Sequence, residues 1–127
     1  MSSVLLDENE RIENLVKTAF EAIDDKKGEE IRILDISKVS VIADYFIIAH
    51  GNNINQVQSI CDEVEQRLGR LGVHAKQVEG YEKANWILMD FGDIIIHVFD
   101  KENRLFYDLE RIWRDGEVVD SSKFTKN

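Results

Sequence analysis

The run from Trp86 to Phe99, WILMDFGDIIIHVF, constrains the fold more than any other stretch, because it reads as a β-hairpin with two hydrophobic faces of different kinds. Gly92-Asp93 is a pair that closes hairpins, since glycine tolerates the positive φ of a tight primed turn. Counting outward from that turn pairs Phe91 with Ile94, Met89 with Ile96 and Ile87 with Val98. Side chains alternate along a strand, so these six share one wholly apolar face. The opposite face carries Asp90 with Ile95, Leu88 with His97 and Trp86 with Phe99. Two large aromatics beside a carboxylate and an imidazole suit a contact surface better than an ordinary core. Trp and Phe each bury roughly 150 to 250 Å², so exposing both approaches the largest apolar patch of a typical monomer, roughly 300 to 600 Å². Such a face needs a cover, either a helix of the same chain or a partner protein.

The remaining elements follow from periodicity. Ile12, Leu15, Val16, Ala19, Phe20 and Ile23 recur at three- and four-residue steps, which predicts an amphipathic helix from about Asp7 to Lys27, capped by Asp7 with Glu10 and stopped by Gly28. IRILDI (Ile31 to Ile36) and DYFIIAHG (Asp44 to Gly51) read as strands. Asn53 is the expected N-cap of a second helix, from Ile54 to Leu71, ended by Gly72. Val73 to Val78 reads as a third strand, and Glu79-Gly80 opens a loop into the hairpin. A third helix spans Arg104 to Arg114, with Leu105, Phe106, Leu109, Ile112 and Trp113 on one stripe. The expected architecture is a mixed α/β (α+β) fold, about five strands in a mixed sheet packed with three main helices. Three helices cover both faces poorly, which leaves the Trp86 face open. Residues 1–116 form one domain in this reading, and residues 117–127, without usable periodicity, form a polar, mobile tail.

With 127 residues, 43% hydrophobic and 32% charged, the chain has the composition of one globular domain. A formal net charge of −9 opposes association with a phosphate backbone and favours a basic protein partner. The single cysteine, Cys61, excludes an internal disulfide and suits a reducing compartment, and its place among Val57, Ile60, Val64 and Leu68 suits packing. MSSVLLDENE lacks a basic leader, and no apolar run reaches the roughly 18 residues of a membrane span, so a cytoplasmic location is expected.

Catalytic and metal chemistry find little support. His50, His74 and His97 lack the spacing of metal ligands, and no metal or cofactor is expected. Nucleotidyl transfer needs carboxylates converging on metal ions. Here no Asp-x-Asp pair follows the HGNN loop, while Asp90 and Asp93 flank a turn. That loop retains only the backbone donors that attract anions at a helix N-terminus, so a nucleotidyltransferase-like enzyme or a nucleotide-binding protein stays open as an alternative.

Ala43, Asp44, Tyr45, Gly51, Glu79, Gly80, Trp86, Asp90, Gly92, Asp93, His97, Phe99, Arg104, Tyr107, Leu109, Glu110 and Trp113 fall in an order and spacing that resembles the ribosomal silencing factor family, also called Iojap-like. The resemblance runs from about Asp7 to Gly116. It implies a nucleotidyltransferase-like topology without catalysis, and binding to the large ribosomal subunit through ribosomal protein L-fourteen. It also implies obstruction of small-subunit joining, which represses translation, and a homodimer when free. A large-subunit assembly factor remains the alternative within the same class. The residues expected to meet a protein partner are Trp86, Leu88 and Asp90 first, then Glu79, His97, Phe99, Tyr107 and Glu110. Asn52-Asn53 departs from the Ser or Thr usual in relatives, which weakens any hydroxyl-dependent ligand site in that loop.

Overall fold

In a computed structural model, which describes residues 2–120 and 122 with the side chains of residues 2–7, 106 and 112 excepted, the hairpin forms in the expected register. Strand β4 (Trp86–Asp90) meets β5 (Ile94–Asp100) with Trp86 opposite Phe99, Ile87 opposite Val98, Leu88 opposite His97 and Met89 opposite Ile96. Gly92 sits in the turn at φ 92°, as a tight reversal requires. Strand β2 (Tyr45–Gly51) runs parallel to β5, and β1 (Glu29–Asp35) pairs antiparallel to β2. The short strand β3 (Gln77–Glu79) flanks β4, and β6 (Glu117–Val119) flanks β1. The sheet order is β3-β4-β5-β2-β1-β6, six strands where five were expected.

Helix α1 (Ser2–Asp25) and helix α2 (Ile54–Arg70) cover one face of the sheet. Leu15, Val16, Ala19, Ile23, Val57, Ile60, Val64 and Leu68 meet Ile33, Ile47, Ile87, Met89, Ile94, Ile96 and Val98 there in one continuous core. The all-apolar hairpin face is therefore the inner one. Cys61 belongs to this core at 1% exposure, and burial pushes its thiol pKa up, the opposite of an activated nucleophile. Among the described residues the other face receives the short helix α3 (Lys101–Tyr107) and the single turn α4 (Leu109–Ile112).

Five expectations need correction. The third strand, expected from Val73 to Val78, is confined to Gln77–Glu79. Helix α1 begins before Asp7, so Asp7 lies inside the helix and does not cap it. At the other end Lys27, not Gly28, takes the left-handed conformation at φ 65°. The Gly28 and Lys27 amides return to the carbonyls of Ile23 and Asp24 at 2.9 Å each, a Schellman closure with lysine at the turning position. The third helix is broken at Asp108, whose φ of 49° ends α3 and starts α4. Glu117–Val119, read as the start of a polar tail, is instead a strand, with Val118 opposite Leu34 and Val119 opposite Ile33. Three residues are too few to show a period of two. The later tail positions 121 and 123–127 lie outside the described residues.

The loop leading into the hairpin is tied down at several points. Tyr81 donates its hydroxyl to Asp62 at 2.9 Å, and Gln58 on α2 donates to the Tyr81 carbonyl at 2.8 Å. Gly80, at φ 81°, lies so close to β4 that a β-carbon there would stand 2.2 Å from the Trp86 carbonyl oxygen. Gly80→Ala therefore strains both its own backbone and the start of β4. Chemical denaturation should show a loss of about 2 kcal/mol or more, while Lys83→Ala in the same exposed loop stays within about 0.5 kcal/mol.

Candidate functional site

The second face of the sheet forms its own core from Leu34, Ile36, Ala43, Phe46, Ile48, Ile95, Phe99 and Leu109. Trp86, Leu88 and Trp113 pack against it without being enclosed. Because α3 and α4 together are short, they seal the β5 and β2 side of this face and stop at β4. Phe99 and His97 end up 1% and 4% exposed, so neither touches an outside molecule in this conformation. That cover encloses both of these expected contact residues in the free chain. Trp86 and Leu88 remain half-buried, and Tyr107 at the end of α3 is 41% exposed.

Trp86 is held by its neighbours on several sides. Its ring stacks on Phe99 at 5.2 Å between centroids with 26° between planes, and it meets Tyr107 at 4.7 Å. Its indole N–H donates to Nδ1 of His97 at 3.0 Å. An accepting Nδ1 puts the imidazole proton on Nε2, and Nε2 is buried with no hydrogen-bond partner. The imidazole edge meets the Phe46 ring at 4.7 Å and 69°. Burial lowers the His97 pKa from its ordinary value of 6.5 to about 4, so the ring is neutral at physiological pH.

The carboxylates divide by their duties. Asp90 is half-buried, and its Oδ1 accepts from the Gly92 amide at 2.8 Å, so it stabilises the hairpin turn. Glu79 is exposed on the edge strand and accepts from the Gln77 amide. Glu110 takes both ends of the Arg104 guanidinium, Nη2 to Oε2 at 2.8 Å and Nε to Oε1 at 3.3 Å. Arg104 is 5% exposed, and its Nη1 also donates to His50 Nδ1 at 2.9 Å and to the Glu29 carbonyl at 3.2 Å. Glu110 thereby compensates a buried charge that would otherwise be costly. Three-residue spacing along one continuous helix would put Arg104, Tyr107 and Glu110 near one another. The break at Asp108 instead folds Glu110 back onto the arginine, and a left-handed aspartate leaves no signature in the spacing.

Several groups in the loop after β2 and the cleft beside it are engaged within the chain. At the loop after β2, Asn53 Oδ1 accepts from the Gln56 amide at 2.8 Å, and the Asn52 amide donates to Gln56 Oε1 at 2.7 Å. These two donors are occupied within the chain, which leaves less for an anion. A cleft of about 340 Å³ lies near this loop, lined by Glu30, His50, Lys101, Arg104, Leu105, Asp108 and Glu110. Its most buried cation, Arg104, has its donors committed to protein acceptors. Asp93 pairs with Arg11 at 2.9 Å and not with Asp90. Among the described residues, no group of three His, Cys, Asp or Glu side chains is placed to hold a metal ion. None of their helices is long and apolar enough to cross a membrane.

Comparison with known proteins adds a family to this geometry. The family model described as "Ribosomal silencing factor during starvation" matches residues 9–127. A ribosomal silencing factor of Halalkalibacterium halodurans is 43% identical over 108 residues, 85% of this chain and 92% of that protein. The Bacillus subtilis ribosomal silencing factor is 42% identical over 107 residues, 84% of this chain and 91% of that one. A crystal structure of a Chromobacterium violaceum protein superposes with a TM-score of 0.79 at 35% identity, covering 86% of this chain and 90% of the other.

The neutral, buried His97 makes stability depend on pH in a defined direction. Its folded pKa of about 4 lies below the ordinary 6.5, so its contribution is complete above pH 6.5 and is lost as pH falls toward 4. The linked change is about 3 kcal/mol. Urea denaturation of the wild type and of His97→Asn at pH 7 and pH 4 should show the wild type losing its stability relative to the variant by roughly that amount.

Proposed function

The chain belongs to the ribosomal silencing factor (Iojap-like) family, and from that premise we propose that it docks through the Trp86 face on the large ribosomal subunit and obstructs joining of the small one. The observation that carries this reading is the half-buried Trp86–Leu88 patch, which the chain's own helices leave partly uncovered. An indole ordered by Phe99, Tyr107 and His97 has the properties of a binding hot spot, with large apolar area and little freedom left to lose. Glu79 and Asp90 lie beside it on β3 and β4 and supply negative charge at its rim. The formal net charge of −9 extends that potential over the protein and favours a basic ribosomal protein as the contact. Ribosomal protein L-fourteen, on the surface that faces the small subunit, is the partner implied by the family resemblance.

This mechanism is occlusion. It needs affinity and bulk at a surface the small subunit must approach, and no bond is made or broken. We read the protein as a translation repressor in the cytoplasm that acts by binding and not as an enzyme. Glu110, His97 and Phe99 enter only as support, because they hold α4, the indole and the second core in place.

Sedimentation with purified large subunits tests the proposal. Wild-type protein should travel with large subunits and reduce their joining to small ones. Trp86→Ala should weaken that association about thirtyfold or more, the loss typical of a buried aromatic anchor. Asp90→Arg should weaken it by reversing charge at the rim. Wild-type protein that neither accompanies large subunits nor lowers joining would overturn the reading.

A further inference from the structure

We propose that His97 is a positioning residue for the docking surface, acting through the Trp86 indole without touching the partner. The inference rests on the docking role of Trp86 proposed above and identifies what sets that side chain's orientation. Trp86 begins β4, the second strand from the sheet edge, where the helical cover thins, so packing alone restrains only part of its ring. Phe99 and Tyr107 bound its faces at centroid distances of 5.2 and 4.7 Å. Ring contacts of this kind, stacked for Phe99 and tilted by 49° for Tyr107, tolerate sliding and rotation. The directional restraint is the indole N–H to His97 Nδ1, 3.0 Å long and sheltered from water by the burial of the imidazole.

The histidine is an expensive way to fill this position. Its Nε2 is enclosed without a hydrogen-bond partner, and its neighbour across the strand pair is Leu88, so an aliphatic side chain would suit the surrounding apolar core. A buried polar atom left unsatisfied normally costs stability. The compensating gain visible in the structure is the acceptor at Nδ1, and the group it serves is the indole. Partner binding then benefits because the anchor is ordered before contact. With one donor on Trp86 and one acceptor on His97, the coupling is pairwise and can be isolated by a double-mutant cycle.

The variants are His97→Leu, which removes the acceptor, His97→Asn, which restores one on a similarly short side chain, and Trp86→Phe, which removes the donor while keeping a ring. Association with purified large ribosomal subunits is one readout. The indole N–H resonance of Trp86 in the free, full-length protein is the other, with Trp113 as the internal control. His97→Leu should weaken association about three- to tenfold, the effect of one neutral hydrogen bond, and should shift and broaden the Trp86 indole signal while denaturation shows the chain still folded. His97→Asn should recover most of the affinity and a single sharp signal. In the Trp86→Phe background, His97→Leu should change association less than twofold. An indole signal unmoved by His97→Leu would overturn the proposal, as would the same affinity loss with and without the Trp86 donor. If Trp86→Ala leaves large-subunit association intact, the docking reading fails, while the resonance still decides whether His97 orients the indole.

Discussion

Unequal helical cover on the two faces of one sheet is the constraint from which the rest of this structure follows. Helices of 24 and 17 residues lie on one face, and helical segments of 7 and 4 residues lie on the other. A sheet whose second face is apolar at β2 and β5 needs cover there, and α3 with α4 supplies it for Phe46, Ile48, Ile95 and Phe99. Over β4 the cover thins to the Tyr107 ring beside Trp86. Trp86 and Leu88 are left in an intermediate state, packed from behind and open in front. The central parallel pair produces this division, since β2 leads into α2 on one side and β5 leads into α3 on the other.

The short segment works because its bend is stabilised. Asp108 in a left-handed conformation would be a strained interruption on its own. Across it, Glu110 meets the buried Arg104, which also reaches His50 on β2 and the Glu29 carbonyl on β1. The buried guanidinium thus couples α3 to α4 and to strands β1 and β2, which are distant in the chain. It holds α4 so that Leu109 and Trp113 close the second core and Tyr107 stands against the indole. The polar network and the open aromatic patch are in this sense one structural unit.

Much of this was legible in the residues. The hairpin register followed from Gly92-Asp93 and the alternation around it, and every predicted cross-strand pair is present. Asn53 caps α2 as its side chain chemistry implied. Features set by tertiary contact were not legible. Nothing in the spacing of Leu109, Ile112 and Trp113 distinguishes a continuous helix from one broken at a non-glycine residue. Val118 and Val119 pair with β1 over too short a span to register as a strand. The burial of His97 and Phe99 also depends on where α3 and α4 dock, so a face read correctly as mixed in character was assigned more contact residues than remain accessible.

In the proposed function, the large ribosomal subunit covers the surface formed by Trp86 and Leu88. Hydroxyl-radical footprinting of the free protein and of its mixture with purified large subunits measures this side chain by side chain. Trp86 and Leu88 should lose reactivity when large subunits are added and keep it with small subunits alone, while exposed residues such as Leu71 at the end of α2, the helix on the other face of the sheet, remain reactive throughout. Protein that travels with large subunits while Trp86 and Leu88 stay as reactive as in the free chain would contradict that proposal.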